Sequence, residues 1–313
     1  MSEMAGYPHI HTVVTEVLRA WPAHEKYIER SFASRTDRVM RACDELCAAI
    51  IRMADTVEGG LPLICEDYKY FSENVVLMEQ LYFQRHGEYS TKSFEEANSK
   101  YYSNALFMRR YVNCLALSTA LWENHANVFD AYLNEYLPGL EPGTRLMEIG
   151  PAHGFALYFA AACEPVTALT GWDVSPTAID HTRQVLNALG VKKHVNLKVQ
   201  DLFEAGSPPP GEEFDAIVIG EVLEHLEDPR RALKSVAAWL RPNGRMWITT
   251  PVNSPFPDHI YLFHNIEEIL DLVRECGLEI IKHEAYPMSG MTLEKAMKRK
   301  QPVSCAITAT KLN

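Results

Sequence analysis

The residue types that could do chemistry concentrate between positions 148 and 260. Glu148-Ile149-Gly150-Pro151-Ala152-His153-Gly154 reads as a strand running into a glycine-bearing turn and then a helix. Glycine lets a backbone approach a ligand closely, and a helix N-terminus presents unpaired N–H groups. The turn misses the GxGxxG dinucleotide pattern, because Ala152 stands between Gly150 and Gly154. An acid about 20 residues behind such a turn can accept both hydroxyl hydrogens of a ribose, and Asp173 stands there, ahead of Val174-Ser175. Asp201 then closes the next apolar run in Gln200-Asp201-Leu202, where a short polar side chain can reach an adenine amino group. Taken singly, either acid reads equally well as a helix N-cap. Two acids in register behind one glycine turn favour a nucleoside site.

A second group follows the fourth strand expected in this region. In Gly220-Glu221-Val222-Leu223-Glu224-His225, His225 has the chemistry of a general base near neutrality. Glu221, Glu224, His225 and the later His259 supply carboxylates and imidazoles that suit a divalent metal. His225 equally reads as a hydrogen-bonded turn residue. His153 would point toward a ligand or toward solvent, and His264 reads as the structural start of a helix over 266–276.

The elements that must hold these residues change character near position 140. Before it, the chain reads as helices almost throughout, with helical spacing of apolar residues over 33–53 and 104–137 and a break at 58–62. After it, short apolar runs over 145–149, 166–172, 195–199, 216–219 and 245–249 alternate with amphipathic stretches over 155–163, 176–189 and 230–240. That alternation predicts βαβ units and a parallel sheet with right-handed crossovers. Two further strands over 278–284 and 302–310, with no clear helix between them, predict an antiparallel, hairpin-like closure. In the helical half, Tyr101-Tyr102 and Trp122 with His125 stand out as aromatics that could stack on an acceptor.

Composition narrows the partners. The 313 residues carry 30 Lys+Arg against 41 Asp+Glu, a net charge of −11, which argues against phosphate backbones and anionic membrane surfaces as partners. The seven cysteines show no metal-ribbon spacing and read as reduced thiols, with Cys43 and Cys47 on one helix face. The N-terminal stretch lacks the apolar core of a signal peptide, and no apolar run reaches the roughly 20 residues of a membrane span. The expectation is a soluble, cytoplasmic protein acting on small molecules.

The ordered motifs resemble the class I S-adenosylmethionine-dependent methyltransferases. Glu148 to Gly154 matches the family's first motif, Trp172-Asp173-Val174-Ser175 the ribose motif and Gln200-Asp201-Leu202 the adenine motif. The run 214–225 matches the fourth strand with its loop, and Leu240-Arg241-Pro242-Asn243-Gly244-Arg245 the turn before the fifth. One residue departs: Ala152 replaces the middle glycine, which is tolerable if that position has φ below zero. The resemblance implies an α/β, Rossmann-like, seven-stranded, mostly parallel sheet with an antiparallel last strand, over 140–313, behind a helical N-terminal cap over 1–139. It implies that Glu148, Gly150, Pro151, His153 and Gly154 pass the methionine end of S-adenosylmethionine. Asp173, Val174 and Ser175 would hold the ribose, Asp201 and Leu202 the adenine, and Gly220, Glu221 and Val222 the floor beneath the sulfonium. The expected function is in-line methyl transfer to an oxygen, nitrogen or activated carbon of a small metabolite in biosynthetic, secondary metabolism, with His225 as base. Alternatives are a metal-assisted reaction through Glu221, Glu224, His225 and His259, and a non-catalytic protein that only binds the cofactor. The helical half would choose the acceptor or pair two copies into a homodimer; no nucleic acid or membrane partner is expected.

Overall fold

In the computed structural model, residue 4 and residues 6–312 are described. Residues 1–3 and 5, which belong to the stretch read above for a signal peptide, lie outside them, as does residue 313. The chain forms two compact units. The first comprises Met1–Asp130, Ser254–Ile260 and Tyr286–Val303; the second comprises Ala131–Asn253, Tyr261–Ala285 and Ser304–Asn313.

Helices build the first unit. Asp37–Ala54 begins where Thr36 accepts a hydrogen bond from the Val39 N–H, and it buries Cys43, Leu46, Cys47 and Ile50 on one face. Burial pushes the Cys43 and Cys47 thiols up, so they pack as apolar groups. The break expected at 58–62 is a turn in which Gly59 and Gly60 take φ of +88° and +59°, after which Gly60–Phe71 begins. The continuous helix expected over 104–137 does not form. Ala105–Leu121 stops at Trp122, which is extended at ψ 129°, and Glu123–Ala131 then starts afresh. The stop is stabilised from outside the segment. The Leu121 carbonyl accepts from Ser31 Oγ at 2.6 Å and Arg35 Nη2 at 2.9 Å, and the Ala120 carbonyl accepts from Arg35 Nη1 at 2.7 Å. No helix among the described residues is long and apolar enough to cross a membrane.

The second unit is built on a seven-stranded sheet: β1 (Thr144–Ile149), β2 (Val166–Asp173), β3 (Val195–Val199), β4 (Phe214–Gly220), β5 (Leu240–Val252), β6 (Leu278–Pro287) and β7 (Val303–Lys311). The order is β3-β2-β1-β4-β5-β7-β6, with parallel pairing from β3 through β5 and β7 antiparallel to β6. Helices Phe155–Ala162, Pro176–Ala188 and Pro229–Ala238 follow β1, β2 and β4, as parallel crossovers require. The last two strands are not a simple hairpin, because Leu293–Lys298 forms a short helix between them. Along β2 the pleat sends neighbours to opposite faces. A Cβ on Gly171 would lie 3.1 Å from Leu157 Cδ1 on the helix after β1, whereas the Trp172 ring meets Trp239 edge-on at 4.8 Å.

Candidate active site

Parallel register brings the chemistry to one edge. Ile149 pairs with Trp172 and with Ile219, Asp173 pairs with Val199, and Gly220 pairs with Thr249. The turns after β1, β2, β3 and β4 therefore share the carboxyl end of the sheet, where ligands bind in open parallel sheets.

The turn after β1 is left-handed at three positions. Gly150, Ala152 and Gly154 take φ of +67°, +44° and +72°. The condition under which Ala152 would be tolerated, φ below zero, is not met: the alanine occupies backbone suited to glycine. A hydrogen bond from Thr182 Oγ1 to the Ala152 carbonyl, 3.0 Å long, holds it there. A Cβ on Gly150 would lie 2.9 Å from Val222 Cγ2, so the Val222 side chain packs directly against the bare Gly150 backbone and leaves no room for a larger residue. Pro151 is buried and lies next to Gly171. His153 is half-buried, and its Nδ1 accepts from the Phe155 N–H at 3.3 Å, satisfying one amide of the helix N-terminus. Burial and the nearby His181 depress its pKa to about 4, which keeps this acceptor nitrogen unprotonated.

Glu148, the last acid of β1, is 7 % exposed, and its Oε2 has no hydrogen-bond partner. Burial pushes its pKa up to about 8, against a backbone hydrogen bond at Leu157 that lowers it. An unpaired carboxyl costs several kcal/mol to ionise in such surroundings unless a cation arrives.

The acids after β2 and β3 share one geometry. Asp173 Oδ1 accepts from the Ser175 N–H at 2.8 Å, and Asp201 Oδ1 accepts from the Phe203 N–H at 2.7 Å. Neither is a helix N-cap: Ser175 caps the helix after β2, accepting from the Ala178 N–H, and no helix follows Asp201. Burial raises the Asp173 pKa against the bonds from Ser175 and Val174. Val174 is exposed and Leu202 half-buried beside them.

After β4, Gly220 leads into Glu221 at φ +51°, whose N–H bonds the Thr249 carbonyl at 2.9 Å. Burial raises the Glu221 pKa, opposed by the Thr249 hydroxyl and by His225. Glu224 is fully buried; its Oε2 accepts from Thr250 Oγ1 at 2.8 Å, and its Oε1 lies 3.9 Å from His225 Nε2. His225 is half-buried on this turn, with Val222 at its start. His259 belongs to the first unit, where its Nδ1 bonds the Ser254 carbonyl at 2.6 Å. His264 precedes the helix Ile266–Glu275 with its N–H on Glu268, while Asn265 provides the N-cap.

Thr182, Gly171, Phe203, Arg231 and Trp239 support these turns without having been singled out in the sequence. A threonine or arginine inside an amphipathic helix carries no local sign of the loop it touches. The residues present fit a cofactor with a ribose, a base and an ammonium group. The Gly150 backbone is bare where a Cβ would meet Val222, two acids stand in equivalent turns, and the buried Glu148 Oε2 has no hydrogen-bond partner.

Residues 147–246 match the family model described as a methyltransferase domain. A ubiquinone biosynthesis O-methyltransferase from Xanthomonas campestris pv. campestris (strain B100) is 29 % identical over 114 residues, covering 36 % of this chain and 46 % of that protein. One of the same name from Coxiella burnetii (strain Dugway 5J108-111) is 28 % identical over 131 residues, covering 42 % and 53 %. The chain thus spans about half the length of the curated relatives it matches. The solved structure of an N-methyltransferase from Bradyrhizobium japonicum WM9 aligns over 61 % of this chain and 96 % of that one, at 20 % identity and a TM-score of 0.44. With its strand order, its glycine-bearing turn and this match, the segment over 147–246 is a methyltransferase domain of the class I, S-adenosylmethionine-dependent type.

Proposed function

We propose that the second unit binds S-adenosylmethionine and that the protein transfers a methyl group to an oxygen of a small biosynthetic metabolite, with His225 taking the acceptor's proton. The observation that carries this reading is the shared sheet edge: Gly150, Asp173, Asp201 and Glu221 stand at or just after paired strand ends, beside Glu148, whose Oε2 has no hydrogen-bond partner. The choice of oxygen is supported by the name of the relatives, which are O-methyltransferases. The net charge of −11 supports a metabolite over a nucleic acid as acceptor.

The bound cofactor supplies an activated methyl group. The protein's part is to bind, orient and manage protons. Asp173 would accept the ribose hydroxyls and Asp201 the base amino group, each held rigid by the N–H two residues on. Glu148 would pair with the ammonium. His225 would accept the acceptor's proton as the new C–O bond forms, and the adjoining Glu221 and Glu224 carboxyls would stabilise the resulting imidazolium. General-base assistance of this kind contributes about 10²–10⁴ in rate.

Calorimetric titration with S-adenosylhomocysteine tests the binding half. The expected result is saturable binding by the native protein and loss of at least tenfold in affinity in Asp173→Ala. His225→Gln should keep that affinity within about twofold while losing about 10²–10⁴ of methyl transfer from labelled S-adenosylmethionine into a small-molecule extract. No binding by the native protein would refute the reading.

A further inference from the structure

The turn that carries Asp201 is anchored by the helix that follows β4. Phe203, two residues on, receives the Arg231 guanidinium over its ring at 4.3 Å from the centroid. Three residues further, the Gly206 carbonyl accepts from Trp239 Nε1 at 3.0 Å. Arg231 lies in the first turn of Pro229–Ala238, whose N-cap Asp228 accepts from the Arg231 N–H at 2.9 Å, and Trp239 closes the same helix. Trp239 also stands edge-on to Trp172, the residue before Asp173. One helix therefore touches the segment after β3 at two points and the end of β2 at a third.

We infer that Arg231 and Trp239 are positioning residues for recognition of the base, holding the 201–206 turn so that the Asp201 carboxylate meets an amino group. This rests on the proposal that the second unit binds S-adenosylmethionine. The Phe203 N–H is the donor that fixes Asp201 Oδ1, so Arg231 over the Phe203 ring acts one step from the reading carboxylate. A cation over an aromatic ring and a single neutral hydrogen bond are each modest. Their loss should loosen the turn rather than the fold.

The discriminating ligand is S-inosylhomocysteine, in which a carbonyl oxygen replaces the amino group of S-adenosylhomocysteine. A positioned carboxylate accepts from the amino group and repels the carbonyl, so the native protein should prefer the adenosyl compound by at least tenfold. Arg231→Ala and Trp239→Phe should each lower that preference about threefold, mainly by weakening adenosyl binding, with unchanged thermal midpoints. Arg231→Lys, which keeps a cation near the ring, should recover part of it. An unchanged ratio in both variants overturns the inference while leaving the binding reading intact. Failure of the native protein to bind either compound removes that reading and, with it, this inference.

Discussion

Replacing Glu148 by glutamine should stabilise the ligand-free protein at alkaline pH and leave it almost unchanged in acid. The folded carboxyl has its pKa raised from 4.5 to about 8, chiefly by burial. Between those values the folded state holds a proton that the unfolded state has released, so stability falls as pH rises. The full difference, about 3.5 units at 1.36 kcal/mol each, is about 5 kcal/mol, reached above pH 8. Below pH 4.5 both states are protonated and the contribution is constant. Glutamine matches the protonated side chain in shape and cannot ionise, so the variant should escape this decline. The assay is thermal unfolding from pH 4 to pH 9, followed by the fluorescence of Trp172, Trp239 and Trp247 in the second unit. At roughly 2 °C per kcal/mol, the variant should melt about 10 °C above the native protein at pH 9 and within about 2 °C of it at pH 4. Saturating S-adenosylhomocysteine should close the gap by supplying its ammonium to the native carboxylate and not to the amide. Parallel pH profiles of the two proteins would refute the argument, since they would mean that the carboxyl finds a partner or water when it ionises.

The turn after β1 gives two opposed expectations. Ala152→Gly should stabilise the second unit by about 0.5–1 kcal/mol in urea unfolding, because relief of roughly 1–2 kcal/mol of left-handed strain exceeds the added chain entropy of glycine; a loss of stability would show that Ala152 is not strained. Gly150→Ala should cost about 2–4 kcal/mol, combining φ +67° with a Cβ only 2.9 Å from Val222 Cγ2, and should abolish S-adenosylhomocysteine binding in calorimetry.

Much of the sheet was legible because its signals are local. Short apolar runs ended by Gly150, Asp173, Asp201 and Gly220 mark strand ends directly, and the parallel pairing that βαβ units impose then places those ends on one edge. The breaks and the strain were hidden because they depend on distant partners. Nothing in 104–137 announces a stop at Trp122; its last carbonyls are satisfied by Ser31 and Arg35, some ninety positions earlier in the chain. The sign of φ at Ala152 follows from a turn whose carbonyl is held by Thr182, thirty positions later. Likewise 254–260 joins the helical unit through contacts no pattern reveals. Thr91 Oγ1 donates to the Pro257 carbonyl, Tyr102 Oη to Asp258, and the Phe256 ring lies 5.7 Å from Phe71.

The acids of the second unit also separate into two kinds by what the backbone does to them. At Asp173 and Asp201 an N–H two residues on fixes one carboxylate oxygen, which sets the direction of the other oxygen. Such acids suit neutral donors, hydroxyls and amino groups, whose hydrogen bonds depend on direction. Glu148 has one oxygen without a partner and burial to oppose its charge, so its carboxylate is costly until a cation is beside it. Binding an ammonium there would release a proton below about pH 8, linking cofactor affinity to pH through a residue that touches neither ribose nor base. Sequence alone shows three acids at three strand ends. The structure fixes the direction of two of them through the N–H two residues on, and buries the third with one oxygen unpaired.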